Sequence, residues 1–292
     1  MDKYRQVLKE SNVTVSDDEV KAKVAEIREK ASQYASPEVF NFLLGSIDLT
    51  TLNTTDSPES VTRFTGRVNE FDDQYPQYNH VAAICVYSNF AEVVRTNLDV
   101  TGVDVCVVAG GFPSGQTYTA VKIADAALAV EAGADEVDIV MNLGYFFDGD
   151  YEDLTDEIIE VKHTIKDARL KVILETGALA TARNIRDASL LALYSEADFI
   201  KTSTGKIYQG TTLEAAYVMC LCIKEYFEKT GRRVGFKAAG GVRTAEEALC
   251  YYAVVKEILG DEWLTPDYFR LGASSLANSV LTALEKAEIK FF

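Results

Sequence analysis

The sequence has few of the residues that mark a metalloprotein, a secreted protein or a membrane protein. It contains only two histidines, His80 and His163, in 292 residues, which is too few for a zinc site built on several histidine ligands. No run of 18 consecutive apolar residues occurs, so we expect no segment to cross a membrane. The first residues, MDKYRQVLKESN, lack the apolar stretch of a secretory signal. A cytoplasmic protein without membrane contact is therefore expected.

Cysteine and basic residues are also sparse, and each deficit excludes a class of protein. The five cysteines, an odd number, lie in apolar segments at positions 85, 106, 220, 222 and 250. This pattern is typical of buried reduced thiols rather than of a disulfide framework. The chain has 45 acidic and 29 basic residues, a net charge of -16. That charge argues against nucleic acid as a partner, because phosphate backbones bind basic faces. A small phosphorylated ligand needs only a local group of donors and is not excluded.

What the sequence does contain is a regular alternation of strand-like and helical segments. Continuous apolar runs separated by amphipathic helices predict a parallel sheet. Eight such units over about 250 residues predict a closed (β/α)₈ TIM barrel, an α/β fold. The alternative is a doubly wound open sheet, but no GxGxxG follows the first strand. The strand-like runs are LLGSIDL (43–49), HVAAICVY (80–87), DVCVVAG (104–110), DEVDIVMN (135–142), LKVILETG (170–177), ADFIKTS (197–203), RVGFKAAG (233–240) and DYFRLGAS (267–274).

The first forty residues have a different pattern and predict a helical extension. Ser16 and Glu19 have the spacing of a capping box. Val20, Val24 and Ile27 then form a narrow apolar stripe at helical spacing. We expect residues 1–40 to pack on a catalytic barrel domain formed by residues 41–292.

Residue parity along the strands directs charged side chains into the barrel. The larger apolar residues take the outward positions, under the helices, and leave acidic and basic residues inward. The inward residues are Glu136, Asp138, Lys171, Glu175, Lys201 and Lys237. A purely structural ion-pair network is one interpretation. Buried ion pairs are weak stabilisers, however, and a barrel can fill itself with valine and leucine, so a functional site is favoured.

Two lysines on adjacent strands, Lys201 and Lys237, predict the chemistry of that site. An ammonium beside another ammonium in a partly dry cavity loses its proton more readily. The neutral amine that results can attack a carbonyl and form a Schiff base. Asp138 lies one or two strands away and can shuttle protons. This set of groups is typical of a metal-independent aldolase, so we expect no metal ion and no cofactor.

Three glycine-rich loops supply the other half of the predicted site. They are TSTGK (202–206), AAGGVRTAEE (238–247) and GASSLANS (272–279), and each leads into a helix. Backbone N–H groups and helix N-termini at such positions bind anions. The loops after strands seven and eight are the usual phosphate site of these barrels. Lys206 and Arg243 could add charge, and Ser274 and Ser275 could add hydroxyl donors.

The segment ADFIKTSTGK (197–206), followed one unit later by VGFKAAGGVRTAEEA (234–248), resembles the deoxyribose-phosphate aldolase family, and the resemblance covers roughly residues 44 to 285. The resemblance implies a class I aldolase that interconverts 2-deoxy-D-ribose 5-phosphate with D-glyceraldehyde 3-phosphate and acetaldehyde. It implies that Lys201 forms the Schiff base, that Lys237 perturbs this amine and that Asp138 belongs to the proton relay. The matching segments are DLTTLN (48–53), ADEVDIV (134–140), KVILETG (171–177), ADFIKTSTGK (197–206), VGFKAAGGVRTAEEA (234–248) and RLGASSL (270–276).

The same resemblance implies which residues contact the sugar phosphate. Cys85 matches a cysteine near the mouth of the site that the family does not need for its chemistry. Two departures are Ala238, where the family commonly has proline, and the ending KAEIKFF, which lacks a tyrosine that assists proton transfer in some members. The expected substrate- and phosphate-binding residues are Asp48, Thr50, Leu52, Thr202, Gly205, Lys206, Gly240, Gly241, Val242, Arg243, Gly272, Ser274 and Ser275.

Two other functions remain open at this level: another phosphosugar barrel enzyme, and a non-catalytic phosphosugar-binding protein. The intact set of Asp138, Lys201 and Lys237 argues against the second. The expected partners are small phosphorylated sugars and aldehydes. Aromatic-rich helical segments such as LCYYAVV could supply the interface of a homodimer.

Overall fold

A closed barrel of eight parallel strands forms the centre of the molecule, and the predicted (β/α)₈ fold is confirmed. The computed structural model describes residues 3–292. The strands follow one another around the barrel in chain order, and β1 pairs with β8 to close it. Strands β1 to β8 span Ile47–Thr50, Ala83–Tyr87, Asp104–Ala109, Glu136–Val140, Arg169–Ile173, Phe199–Lys201, Gly235–Ala239 and Phe269–Ala273.

At least one helix occupies every connection between consecutive strands, as the alternating sequence pattern predicts. The connections after β4 and β5 each contain an additional short helix. Within residues 3–292, no helix has the length and apolarity needed to cross a membrane. Helices α1 to α13 span Lys3–Glu10, Asp17–Ala31, Pro37–Leu44, Pro58–Gln74, Ala91–Asn97, Thr119–Glu131, Leu143–Asp148, Tyr151–Ile165, Thr176–Leu179, Ala182–Leu193, Leu213–Thr230, Ala245–Leu259 and Leu276–Glu285.

Strand parity separates an apolar outer layer from a charged interior. Val137, Ile139 and Phe236 belong to the large apolar cluster between the strands and the helices. The side chains of alternate positions point the other way, because successive residues of a strand face opposite sides. The register aligns Lys201 with Lys237 on the neighbouring strand. The barrel therefore places charged groups of several strands at similar heights.

The first strand is shorter than the sequence pattern predicts. The sequence pattern places Leu43 and Leu44 in the strand, but they form the last turn of α3. This helix begins at Pro37, where the side chain of Ser36 accepts a hydrogen bond from the Val39 N–H. An N-cap serine followed by proline is a strong helix start. The helix that begins there therefore extends through the two leucines, which are buried.

Helices α1 to α3 precede the barrel and pack against its outer helices. Helix α2 lies on α11 and α12, and Val20, Val24 and Ile27 are buried as the stripe predicts. Ser16 caps α2, but Glu19 accepts from the Ser16 hydroxyl. The reciprocal half of the expected capping box is therefore absent. The division between this extension and the barrel domain at residue 40 stays a prediction.

Candidate active site

Lys201, at the C-terminal end of β6, meets Asp138 and Lys237 inside the barrel, and these two residues lie in the middle of β4 and β7. The Nζ atoms of both lysines lie 2.8 Å from the same oxygen, Oδ2 of Asp138. All three residues are buried, and Lys201 is the least so, with 4% of its surface exposed. The predicted meeting of the two amines around one carboxylate is therefore present in the geometry.

A second layer of charge lies beneath this group. The Lys171 ammonium contacts Oδ1 of Asp138 at 3.3 Å and also forms an ion pair with Glu136. The Arg270 guanidinium bonds Oδ1 of Asp48 at 2.7 Å and Oε1 of Glu136 at 3.0 Å. Each of these charges therefore has a partner of opposite sign. Such pairing offsets the large cost of burying them.

The buried charges fix the protonation states of two members of the upper group. Burial alone would raise the pKa of Asp138, but the ammonium groups of Lys171, Lys201 and Lys237 hold that pKa well below its usual range. Burial alone would lower the pKa of Lys237, but Asp138 and Asp48 raise it well above the ordinary value. Asp48 lies 2.5 Å from the Lys237 Nζ. Lys237 is therefore held as an ammonium and Asp138 as a carboxylate.

A cavity of about 600 Å³ opens above these groups at the C-terminal ends of the strands. Lys201 lines this cavity, whereas Lys237 and Asp138 lie beneath its floor. Lys201 is thus the amine that a bound molecule would meet first. The predicted residues that line the cavity are Thr50, Leu52, Lys201, Gly205, Lys206, Gly240, Gly241, Val242, Arg243, Gly272, Ser274 and Ser275.

The glycine loops pack closely against one another on one side of the cavity. Gly205, Gly240 and Gly241 have φ values of +71°, +86° and +101°, a region that side chains rarely adopt. A Cβ on Gly205 would lie 3.1 Å from the Gly240 Cα. Glycine is therefore required both for the turns and for the contact between the loops. Exposed backbone N–H groups in such turns form concave sites for anions.

Two cations lie at the rim of the same cavity. The Lys206 Nζ donates to the Leu52 carbonyl at 2.5 Å and so bridges the loops after β6 and β1. Arg243 is exposed on the loop after β7, where its backbone N–H bonds Glu247. Helix α13 begins at Leu276, directly after the cavity-lining Ser274 and Ser275. The cavity therefore has a lysine at its base and positive groups on one side.

Two predicted substrate-binding residues lie outside the cavity lining. The expectation that Asp48 lines the cavity is wrong, because its carboxylate is fully buried between Lys237 and Arg270. Thr202 is also fully buried, and its hydroxyl bonds the backbone of Ala239 on β7. The Glu175 carboxylate accepts hydrogen bonds from the backbone N–H and the hydroxyl of Thr204, in the loop after β6. These residues contact other residues of the site but do not line the cavity.

The sequence analysis does not predict two residues of the site, Arg270 and Phe292. Arg270 could have been found by parity, because Phe269 and Leu271 on either side of it belong to the outer apolar layer. Phe292 lines the cavity, and Asn278 holds it through its backbone N–H and carbonyl. No strand parity or local motif indicates this contact, since it joins the end of the chain to α13.

The family model described as DeoC/LacD family aldolase matches residues 42–279. The chain belongs to this aldolase family. A protein from Caenorhabditis elegans is 40% identical over 273 residues, which is 91% of this chain and 88% of the relative. Human deoxyribose-phosphate aldolase is 40% identical over 245 residues, 80% of this chain and 77% of the human protein. The structure of a tetrameric deoxyribose phosphate aldolase from Aeropyrum pernix has a TM-score of 0.66 and 25% identity, covering 89% of this chain and 97% of that one. This DeoC/LacD aldolase thus resembles its relatives over almost the whole barrel.

Proposed function

We propose that the protein cleaves 2-deoxy-D-ribose 5-phosphate reversibly to D-glyceraldehyde 3-phosphate and acetaldehyde, through a Schiff base on Lys201. The observation that carries this proposal is the position of the Lys201 Nζ. It lies at the base of the cavity, 2.8 Å from an Asp138 oxygen that also accepts from Lys237. The name of the human relative supports the choice of substrate within the family.

The reaction begins when the unprotonated Lys201 amine attacks the C1 aldehyde of the sugar. The adduct loses water to give an iminium ion, which withdraws electrons from the C2–C3 bond. Removal of the proton from the C3 hydroxyl then breaks this bond, releases D-glyceraldehyde 3-phosphate and leaves an enamine on the lysine. Protonation at C2 and hydrolysis release acetaldehyde and restore the amine.

In this reaction Asp138 transfers a proton, and Lys237 stabilises charge. Asp138 is a carboxylate at neutral pH and contacts both amines, so it can accept a proton that Lys201 releases. Lys237 remains an ammonium and donates to the same Asp138 oxygen that Lys201 contacts. Both groups are fixed by ion pairs below, so little reorganisation is needed during the reaction.

The glycine loops, Lys206, Ser274 and Ser275 would hold the phosphate at the other end of the sugar. Backbone N–H groups, a cation and hydroxyls are the donors that a phosphate group uses in helix-terminus sites. Binding of the phosphate, which is remote from the reacting carbon, supplies energy that orients the substrate in the site. The acidic net charge of the chain is compatible with this site, because the donors act locally.

Cleavage of 2-deoxyribose 5-phosphate, with aldehyde release coupled to reduction by a dehydrogenase, tests the proposed function. We expect turnover by the wild type and a loss of about 10⁴-fold or more in Lys201→Met, since the nucleophile is removed. Lys224→Met is a matched control, because Lys224 is exposed on the remote helix α11. Faster turnover of a 2-hydroxy sugar phosphate would favour a different phosphosugar enzyme, and absence of any cleavage would favour a binding protein.

The assembly and location of the protein are also proposals. A tetramer is described for the relative from Aeropyrum pernix, and a homodimer stays a prediction for this chain. Light scattering at several protein concentrations distinguishes these two assemblies. A cytoplasmic location remains a prediction from the sequence.

A further inference from the structure

A buried carboxylate in the turn after β5 has no role in the proposed reaction. Glu175 is only 2% exposed and does not line the cavity. Its Oε1 accepts a hydrogen bond from the Thr204 backbone N–H at 3.3 Å, and its Oε2 accepts one from the Thr204 hydroxyl at 2.5 Å. Both oxygens are therefore directed at one residue of the neighbouring loop, and these bonds offset part of the cost of burying the carboxylate.

We propose that Glu175 is a positioning residue for the substrate phosphate, which acts through the Thr204 hydroxyl on the loop that carries Lys206. Thr204 itself lines the cavity, two residues before Lys206. This role rests on the proposed function, in which Lys206 binds the phosphate. It goes beyond that function because it assigns the placement of the cation to a carboxylate that does not line the cavity.

The Thr204 hydroxyl links Glu175 directly to the backbone of Lys206. It donates to the Glu175 carboxylate and accepts from the Lys206 N–H at 3.2 Å. A threonine hydroxyl has one hydrogen and two lone pairs, whereas an ionised carboxylate can only accept. Glu175 therefore takes the hydrogen of the hydroxyl and leaves its lone pairs for the Lys206 N–H. The carboxylate thus fixes the turn of the loop immediately before the lysine side chain.

The residues on either side of Glu175 in the chain also contact the loop after β6. The Thr176 N–H donates to the Thr202 carbonyl at 2.9 Å. A Cβ on Gly177 would lie 2.5 Å from the Gln209 carbonyl oxygen, so the two segments pack backbone to backbone there. Glu175 therefore belongs to a continuous contact between the turn after β5 and the loop after β6.

The backbone of Glu175 has a conformation that glycine adopts more readily than glutamate. Its φ and ψ are +53° and +61°, in the left-handed region that residues with a Cβ seldom occupy. Such conformations persist where the surrounding contacts compensate for their cost. A carboxylate at a position that favours glycine indicates that the side chain itself is needed, and its contacts are those with Thr204.

A fixed turn at Thr204 favours phosphate binding because it places the Lys206 ammonium in advance. The Lys206 Nζ already lies at the cavity, where it donates to the Leu52 carbonyl. A lysine side chain loses conformational freedom when it binds an anion, and a backbone that is already ordered limits the further loss. Removal of the bond between Glu175 and Thr204 should therefore weaken phosphate binding and leave the Schiff-base steps intact.

Thr204→Val tests the link, because valine keeps the shape of the side chain and removes the hydroxyl. We expect KM for 2-deoxyribose 5-phosphate to rise by about 5- to 10-fold, from the loss of the hydroxyl's hydrogen bonds, with a much smaller change in kcat. Thr204→Ser keeps the hydroxyl and should retain the wild-type KM. Glu175→Gln keeps the size of the side chain and should raise KM in the same way as Thr204→Val. Thr155→Val is the matched control, since Thr155 is a fully buried threonine on α8 whose hydroxyl bonds only its own helix.

A double-mutant cycle with Lys206→Met separates a positioning role from a general structural one. If Thr204 acts through Lys206, Thr204→Val should raise KM no further once the lysine side chain has been removed, because coupled residues are not additive. Effects on KM that multiply in the double variant would overturn the proposal. So would an unchanged KM in folded Thr204→Val and Glu175→Gln proteins.

Amide hydrogen exchange tests the same link without turnover. Exchange of the Lys206 N–H should be about 5- to 10-fold faster in Thr204→Val than in the wild type, because this group loses its acceptor. Thr204→Ser and Thr155→Val should exchange there as the wild type does. Unchanged exchange in Thr204→Val would overturn the proposed role of Glu175, whereas a wild type that does not cleave the sugar would contradict the proposed function alone.

Discussion

At the residue scale, one carboxylate oxygen accepts hydrogen bonds from two lysine side chains. Oδ2 of Asp138 accepts from both Lys201 and Lys237, while Oδ1 contacts Lys171. Lys237 has a second carboxylate partner in Asp48, and Lys201 lines the cavity instead. This asymmetry supports the proposal that Lys201 is the nucleophile and that Lys237 retains its positive charge.

Asp138→Asn tests the proton-transfer role of this carboxylate. The amide keeps the size of the side chain but cannot accept a proton from Lys201. We predict a fall in kcat of about 10² to 10⁴-fold, the usual contribution of a positioned acid or base, with a much smaller change in KM. Steady-state kinetics with 2-deoxyribose 5-phosphate measure both constants. Asp167→Asn is the control, because Asp167 is exposed far from the cavity. An unchanged kcat in Asp138→Asn would exclude the role.

Lys237→Met tests the electrostatic role of the second lysine through stability. The variant leaves Asp138 and Asp48 without one of their ammonium partners, so we expect the unfolding free energy to fall by about 3 to 5 kcal/mol. The folded pKa of Lys237 is raised, so its contribution is complete below the ordinary lysine value and disappears only as the pH rises through the higher folded value.

The lowered pKa of Asp138 affects the unfolding free energy at the acidic end of the pH scale. Its contribution is complete above the ordinary aspartate value and disappears as the pH falls through the lower folded value. The difference in unfolding free energy between wild type and Lys237→Met should therefore stay constant between about pH 6 and pH 9. Chemical denaturation at several pH values measures it. A difference that falls steeply in this window would contradict the assignment of fixed charges.

At the element scale, the loops after β6, β7 and β8 all contribute to the cavity lining, and we propose that they bind the substrate phosphate and take no part in the bond-breaking steps. Lys206 reaches across the cavity to Leu52 and lies far along the loop from Lys201. Its ammonium should turn to a phosphate when one is bound, because a charge-assisted bond to phosphate is stronger than one to a carbonyl. The kinetic effect of changing it should therefore depend on the phosphate of the substrate.

Lys206→Met should raise KM for 2-deoxyribose 5-phosphate by about 10- to 100-fold, from the loss of one charged hydrogen bond. The change in kcat should be much smaller. Unphosphorylated 2-deoxyribose is the internal control, because the variant and the wild type should cleave it at similar rates. An equal loss on both sugars would show that Lys206 does not act on the phosphate.

A buried ion pair joins two outer helices to the end of β4. The Lys122 Nζ of α6 contacts Glu157 of α8 at 2.5 Å and donates to the Val140 carbonyl at 3.1 Å. Val140 is two residues beyond Asp138 on the same strand. The pair therefore helps to fix the strand that supplies the central carboxylate.

Removal of one partner should cost more than removal of both. Lys122→Met leaves the Glu157 carboxylate buried without its cation, and we expect a loss of about 3 to 5 kcal/mol in unfolding free energy. The double variant Lys122→Met, Glu157→Leu should recover part of this loss, since buried pairs are replaced by apolar side chains at little cost. Urea denaturation of the wild type and the two variants measures the difference. A double variant less stable than Lys122→Met would contradict this account of the pair.

At the scale of the whole molecule, the sequence predicts the barrel because its strands are long apolar runs with regular helical spacers. Parity along those strands predicts the inward position of Lys171, Lys201, Lys237 and Asp138. The start of β1 was not predicted, because Leu43 and Leu44 are equally suited to a strand and to a buried helix end. Contacts between distant parts of the chain, such as Phe292 at the cavity, leave no local signal.

The central claim is that the amine of Lys201, and not that of Lys237, forms the covalent adduct. Sodium borohydride reduction in the presence of acetaldehyde or 2-deoxyribose 5-phosphate, followed by peptide mass spectrometry, locates the modified lysine directly. The account predicts one stable adduct per chain on Lys201, absent from Lys201→Met and still present in Lys206→Met. An adduct on Lys237 or another lysine, or no adduct in an active wild-type enzyme, would contradict it.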